Sequence, residues 1–156
     1  MHLTTIAISL SALLLLAAAP NSSEPKPAMA PPAPGTKEPD HITIQHVLIG
    51  FTGSVPQKNI ARTQDEAKKL AEEILARAKK GENFDELVKK YTDDSAPGIY
   101  ALANIGVAPA AGEYARTRMV PAFGDAGFPL KVDEIGMASY DSAKSPFGWH
   151  IVKRLK

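Results

Sequence analysis

The chain has 156 residues, and its 18 Lys and Arg nearly balance 17 Asp and Glu, for a formal net charge of +1. That length suits one modest domain beside any export segment, and the balanced charge offers no concentrated basic face for nucleic acid. Cysteine is absent, which excludes disulfide frameworks, thiolate metal sites and a cysteine nucleophile.

Residues 1–19 read as a secretory signal. An apolar run over 6–19, broken only by Ser9 and Ser11, ends in three alanines. This is the length of a signal h-region with a small-residue exit and is short for a bilayer span. The n-region carries no Lys or Arg, and Pro20 follows the most obvious cleavage point. An uncleaved membrane tether is therefore the competing reading, and membrane contact is expected only through this segment. Either way the protein is expected to be exported, as a periplasmic or secreted monomer. Residues 20–40, rich in Pro, Ala and Ser without apolar periodicity, read as a semi-rigid linker. The folded domain is expected over 41–156.

Residues 41–49 (HITIQHVLI) alternate and are β-branched. Ile42, Ile44, His46 and Leu48 share one face, while Thr43, Gln45, Val47 and Ile49 share the other. Both faces carry apolar residues, which predicts a central strand. A Gly- and Pro-containing loop over 50–60 follows. Thr63-Gln64-Asp65-Glu66 is a capping box. Behind it Ala67, Leu70, Ala71, Ile74, Leu75 and Ala78 recur at helical spacing. Gly81 ends that helix, and Asn83 opens a shorter one with Phe84, Leu87, Val88 and Tyr91 inward.

From Thr92 to Arg118 the Gly, Pro and Asp content predicts mostly loop, with a short strand around 105–107. Residues 119–128 (MVPAFGDAGF) predict two helical turns starting at proline, although two glycines oppose it. Strands are predicted over 134–140 and 147–153. This order gives a small α+β domain with an antiparallel or mixed sheet.

Of four histidines (His2, His41, His46 and His150) none shows the spacing of a zinc site, and no cofactor or metal is expected. His46 and His150 each sit inside an apolar strand, one at each end of the domain. The plain reading of each is a packed, hydrogen-bonded core side chain. If the first and last strands are neighbours, the two imidazoles can share a hydrogen bond and fix each other's tautomer. Periodicity alone does not establish that adjacency. Asp93-Asp94-Ser95 reads equally as a turn or a helix cap, and Met119, Phe123 and Phe128 as core.

Five ordered features then carry a resemblance: QHVLI, TQDEA, GENFDELVKKYTDDSA, RTRMVPAFGDAGFPLKVDEIG and SPFGWHIVKR. Together they make residues 42–154 similar to the parvulin family of peptidyl-prolyl cis–trans isomerases, in its bacterial-like branch without phosphate specificity. The resemblance implies a four-stranded, mostly antiparallel sheet surrounded by helices, with the first and last strands central and adjacent. By position it implies that His46, Asp94 and His150 form the catalytic centre. It implies that Met119 and Phe123 wall a proline pocket completed by Phe147 and Ile105, with Ser95 and Ser145 as polar supports.

The implied partners are proline-containing unfolded or partly folded polypeptides, whose X–Pro bonds the domain would rotate by desolvating and stabilising the twisted amide. An exported chaperone that binds unfolded chains with little isomerase activity is the alternative, and a purely structural tethered module is a third. Two departures from the family pattern stand out. A glycine-rich turn with Gly-Asp-Leu-Gly is replaced by APGIYALANIG, which places the bulk of Tyr100 near the pocket rim. The loop after the first strand keeps only Lys58 and Arg62, too sparse to capture a phosphoserine.

Overall fold

A computed structural model describes residues 37–156. The expected signal over 1–19 and residues 20–36 of the linker expected over 20–40 lie outside the described residues. The elements are β1 (His41–Ile49), α1 (Gln64–Lys79), α2 (Phe84–Tyr91), β2 (Ile99–Ala103), β3 (Tyr114–Ala115), a 3-10 turn (Arg116–Arg118), α3 (Pro121–Gly127), β4 (Ile135–Ala138) and β5 (Trp149–Arg154). The fold is α+β, with one five-stranded sheet in the order β3-β2-β1-β5-β4. β1 runs antiparallel to both β2 and β5, β4 is antiparallel to β5, and the short β3 is parallel to β2. The first and last strands are central neighbours, as the resemblance implied. The sheet has five strands rather than four.

The additional strand content comes from two corrections. Residues 105–107 form no strand: Ile105 is 67 % exposed, and Val107 N–H donates to the Asn104 carbonyl in a turn. The strand lies earlier, over IYALA, whose alanines give it weak intrinsic β character. Its pairing with β1, from His41 opposite Ala103 to Gln45 opposite Ile99, supplies what propensity lacks. The fifth strand, β3, is only two residues long and leaves no periodic trace in the sequence.

The two sheet faces are covered differently. Val47, Ile49 and Ile151 pack under α1 and α2 against Ala71, Ile74 and Leu87, all 0–1 % exposed. On the opposite face Ile42, Ile44 and Val152 meet Phe123, Ala126 and Phe128 of the α3 segment. Gly127 explains one of the glycines that oppose helix here. A Cβ at that position would lie 3.3 Å from the Ile44 side chain, so the missing side chain lets α3 sit directly on β1.

The helix starts are closed as their sequences predict. Glu66 N–H donates to Thr63 Oγ1 (3.3 Å), and Thr63 N–H donates to Glu66 Oε2 (2.7 Å). Asn83 Oδ1 accepts from Glu66's counterpart on α2, the Glu86 N–H, at 3.2 Å. Thr63→Ala is expected to cost about 1 kcal/mol of stability and leave activity unchanged, which paired thermal melts and rate assays would check.

The ordered domain begins before His41. Asn104 donates through Nδ2 to the Pro39 carbonyl (3.0 Å) and through its backbone N–H to the Asp40 carbonyl (2.8 Å). Arg116 Nη1 donates to Glu38 Oε2 at 2.7 Å. Residues 38–40 thus dock on the end of β2.

Candidate active site

The site lies on the α3 face of the sheet, toward the end of β1 and the start of β5, beside Phe123 of the α3 core. Register places Leu48 opposite His150 and His46 opposite Val152. The two histidines are therefore diagonal neighbours on one face. Their Nδ1 atoms are 3.1 Å apart, their rings nearly parallel at 17°, and both side chains are buried.

The segment after α2 brings Asp94 over this pair because it is stitched to β1. Asp93 N–H donates to the Leu48 carbonyl (2.8 Å), Leu48 N–H donates to Thr92 Oγ1 (3.1 Å), and Gly50 N–H donates to Asp93 Oδ2 (2.8 Å). Further along, His46 N–H donates to the Gly98 carbonyl at 2.9 Å. Held from both sides, Asp94 places Oδ2 3.0 Å from His46 Nε2 and 3.1 Å from the Tyr100 hydroxyl.

The hydrogen bond from His46 is the main reason the Asp94 carboxyl is held well below the usual carboxylate range. Burial opposes it, and the Ser95 N–H and Tyr100 hydroxyl assist. Burial, followed by the neighbouring His46, pulls the His150 imidazole down to about 3. Burial, then the Asp94 charge, pushes the Tyr100 phenol up to about 12.

An ionised carboxylate only accepts, so His46 donates from Nε2 and Tyr100 donates from its hydroxyl. His150 Nε2 is buried with no partner among the described residues. With both imidazoles neutral, His150 carries its proton on Nδ1 and donates it to His46 Nδ1, which leaves only the His150 Nε2 lone pair orphaned. The result is one directed chain, from His150 through His46 to Asp94.

Above this chain opens a cleft of about 290 Å³ lined by apolar side chains, including Met119, Phe123 and Phe147, with His46, Asp94 and His150 in its floor and wall. Phe123 is 2 % exposed and stands edge-on to His46, with ring centroids 4.8 Å apart at 89°. Its α3 backbone starts at Pro121, whose fixed φ suits the first helical position. Phe147 is delivered by the β4–β5 turn, where its carbonyl accepts from Ser54 Oγ at 2.9 Å.

Six of the nine candidate residues thus converge: His46, Asp94, His150, Met119, Phe123 and Phe147. Three do not reach the cleft. Ile105 is exposed on the turn after β2. Ser95 is exposed too, and meets the site only through its backbone N–H on Asp94. Ser145 is fully buried, where its Oγ donates to the Gly148 carbonyl (2.7 Å) and closes the β4–β5 turn.

Five further residues line the cleft without having been singled out as site residues: Leu48, Val55, Pro56, Tyr100 and Val120. Leu48 was within reach, since it lies two positions from His46 on the same strand face. Val55 and Pro56 sit in the β1–α1 loop, where no periodicity marks them. Arg62 is turned inward, donating to the Gly50 carbonyl (3.0 Å) and pairing with Asp93. Its guanidinium is therefore engaged within the domain.

The family model described as the PPIC-type PPIase domain matches residues 34–156. Chaperone SurA of Chromohalobacter salexigens is 34 % identical over 113 residues, which are 70 % of this chain and 21 % of that protein. Foldase protein PrsA of Bacillus subtilis is 34 % identical over 111 residues, 71 % of this chain and 33 % of the foldase. The chain thus spans a third or less of these two relatives. The dodo protein of Drosophila melanogaster is 34 % identical over 129 residues, covering 78 % of this chain and 70 % of its own.

Among solved structures, the peptidyl-prolyl isomerase ESS1 from Candida albicans superposes with a TM-score of 0.59 at 24 % identity, over 75 % of this chain and 63 % of that one. The solution structure of TbPIN1 gives 0.55 at 23 %, over 75 % and 98 %. These two establish likeness of fold.

Proposed function

The chain belongs to the PPIC-type peptidyl-prolyl isomerase family, and on that premise we propose that its cleft grips the prolyl ring of unfolded or partly folded polypeptides and rotates the X–Pro bond. The observation that carries this reading is the apolar Met119–Phe123–Phe147 wall standing directly over the Asp94–His46–His150 chain.

An amide resists rotation by about 18–20 kcal/mol because its nitrogen donates into the carbonyl. The two X–Pro isomers differ little in energy yet exchange over tens of seconds. No bond need be made or broken, so a catalyst has only to favour the twisted amide over the planar one. The apolar walls take the pyrrolidine ring out of water. Water stabilises the charge-separated planar form, so its removal raises the ground state relative to the twist. The ionised Asp94 carboxylate disfavours negative charge on the substrate carbonyl oxygen and so weakens resonance further. His46 and His150 hold that carboxylate in place from beneath.

The clients are proposed to be exported chains. Support comes from the apolar run over 6–19. Among the described residues no helix is long and apolar enough to cross a membrane.

Line-shape NMR on a short proline peptide tests the proposal. Exchange faster than the spontaneous rate is expected, and Asp94→Ala should lower kcat about tenfold, near 1.4 kcal/mol of barrier. Peptide binding without accelerated exchange would overturn the isomerase reading and favour the chaperone. Absence of both would leave a structural module.

A further inference from the structure

Tyr100 is the side chain of the cleft that the family pattern does not account for, standing in the APGIYALANIG stretch where this chain departs from it. Resting on the isomerase reading, we propose that Tyr100 is a positioning residue. Its hydroxyl, delivered from β2, pins the Asp94 carboxylate against the His46 imidazole and sets the orientation that carboxylate presents to the substrate amide.

Two donors converge on a single oxygen. His46 Nε2 reaches Asp94 Oδ2 from β1 at 3.0 Å, and the Tyr100 hydroxyl reaches the same atom from β2 at 3.1 Å. Asp94 itself belongs to neither strand; it lies in the connection between α2 and β2. The His46 imidazole and the neighbouring Ser95 N–H already hold the carboxylate, and the Tyr100 hydroxyl adds a donor from a second strand that limits its rotation further. Both side-chain donors among the described residues fall on Oδ2, and none falls on Oδ1.

The hydroxyl is delivered by a locked ring. The Tyr100 ring stands at 69° to His46 (5.5 Å) and at 86° to Phe123 (5.5 Å), and leans on Tyr114 of β3 at 6.1 Å. The polar and titratable groups facing Asp94 are His46 from β1, Tyr100 from β2 with Tyr114 behind it, the Ser95 backbone N–H from the same connection, and His150 from β5 beyond His46. Asp93, its chain neighbour, is turned instead to Gly50 and Arg62. The phenol is pushed up to about 12, so it remains a donor to Asp94 at any working pH. A leucine-like side chain here would line the cleft equally well but could not hold the carboxylate.

Tyr100→Phe separates the two roles, because it keeps the ring and removes only the hydroxyl. The melting temperature is expected to stay within a few degrees. kcat should fall about five- to tenfold with KM changed less than twofold, the size of one ordinary net hydrogen bond and no more than the loss expected for Asp94→Ala. Carbon NMR should show the Asp94 carboxyl titrating at higher pH than in the parent protein. In an Asp94→Ala background, Tyr100→Phe should have no further effect.

Unchanged kcat with an unmoved Asp94 titration would overturn the proposal. So would a raised KM at constant kcat, which would make Tyr100 a wall alone, or an additive loss in the double variant. Should the parent protein show no isomerase activity, the functional reading fails. The titration arm would still decide whether Tyr100 holds Asp94.

Discussion

Phe123→Ala is expected to remove about 3–5 kcal/mol of folding stability and to lower kcat/KM about a hundredfold. The residue is 2 % exposed, belongs to the core of the α3 face, and also forms part of the cleft wall. It touches three members of the site edge-on: His46 at 4.8 Å, Tyr100 at 5.5 Å and His150 at 5.5 Å. Truncation therefore creates a cavity, loosens the imidazole pair and deletes the surface on which a prolyl ring would rest. Because domains are stable by only about 5–15 kcal/mol, rates must be measured where circular dichroism shows the variant folded.

Phe123→Leu supplies the control. It retains most of the apolar volume, should cost about 1–1.5 kcal/mol, and should keep more substrate affinity than the alanine variant. The loss of affinity in Phe123→Ala is expected to exceed the loss of turnover in Asp94→Ala. This follows if ring capture and desolvation outweigh the electrostatic effect. A folded Phe123→Ala protein with parental kcat/KM would remove the cleft from the mechanism.

Much of this architecture was legible where local rules and global packing agree. The alternation of β1 and the β-branched run of β5 survive because both strands are central and buried on two faces. Thr63 and Asn83 mark helix starts through their own hydrogen bonds, and Pro121 marks α3. β2 was not legible, since alanines at 101 and 103 carry little strand preference and the pairing with β1 is non-local. Ile105 misled for the opposite reason: an apolar side chain in a turn looks like a buried one until exposure is known. Ser145 was placed near the cleft by position, yet its hydroxyl is consumed in the turn that presents Phe147 and His150. Adjacency of the histidines could not come from periodicity, because residues 104 positions apart meet only through the crossover that puts β5 beside β1. The ordered family motifs supplied that link.

The same buried pair makes stability depend on pH, and this is the second large effect. His150 titrates near pH 6.5 in an unfolded chain, but burial lowers it to about 3 in the fold. Between these values the unfolded chain binds a proton that the native protein refuses. Stability is therefore complete above about pH 6.5 and falls as pH drops, by about 1.4 kcal/mol per unit, or about 2 kcal/mol from pH 6.5 to 5. Asp94 adds a later fall of the same sign. Its folded carboxyl lies below the ordinary range, so its contribution is present above about pH 4 and is lost at more acid pH as the folded group protonates. Urea unfolding at stepped pH should show both regimes, the upper one beginning near neutrality. His150→Asn, which can keep a donor toward His46 Nδ1 but cannot titrate, should be less stable at pH 7 and should lose the upper slope while retaining the lower. A parent protein equally stable at pH 7 and pH 5, or a variant with the parental slope, would mean that His150 is not the neutral, buried donor on which the hydrogen-bonded chain to Asp94 depends.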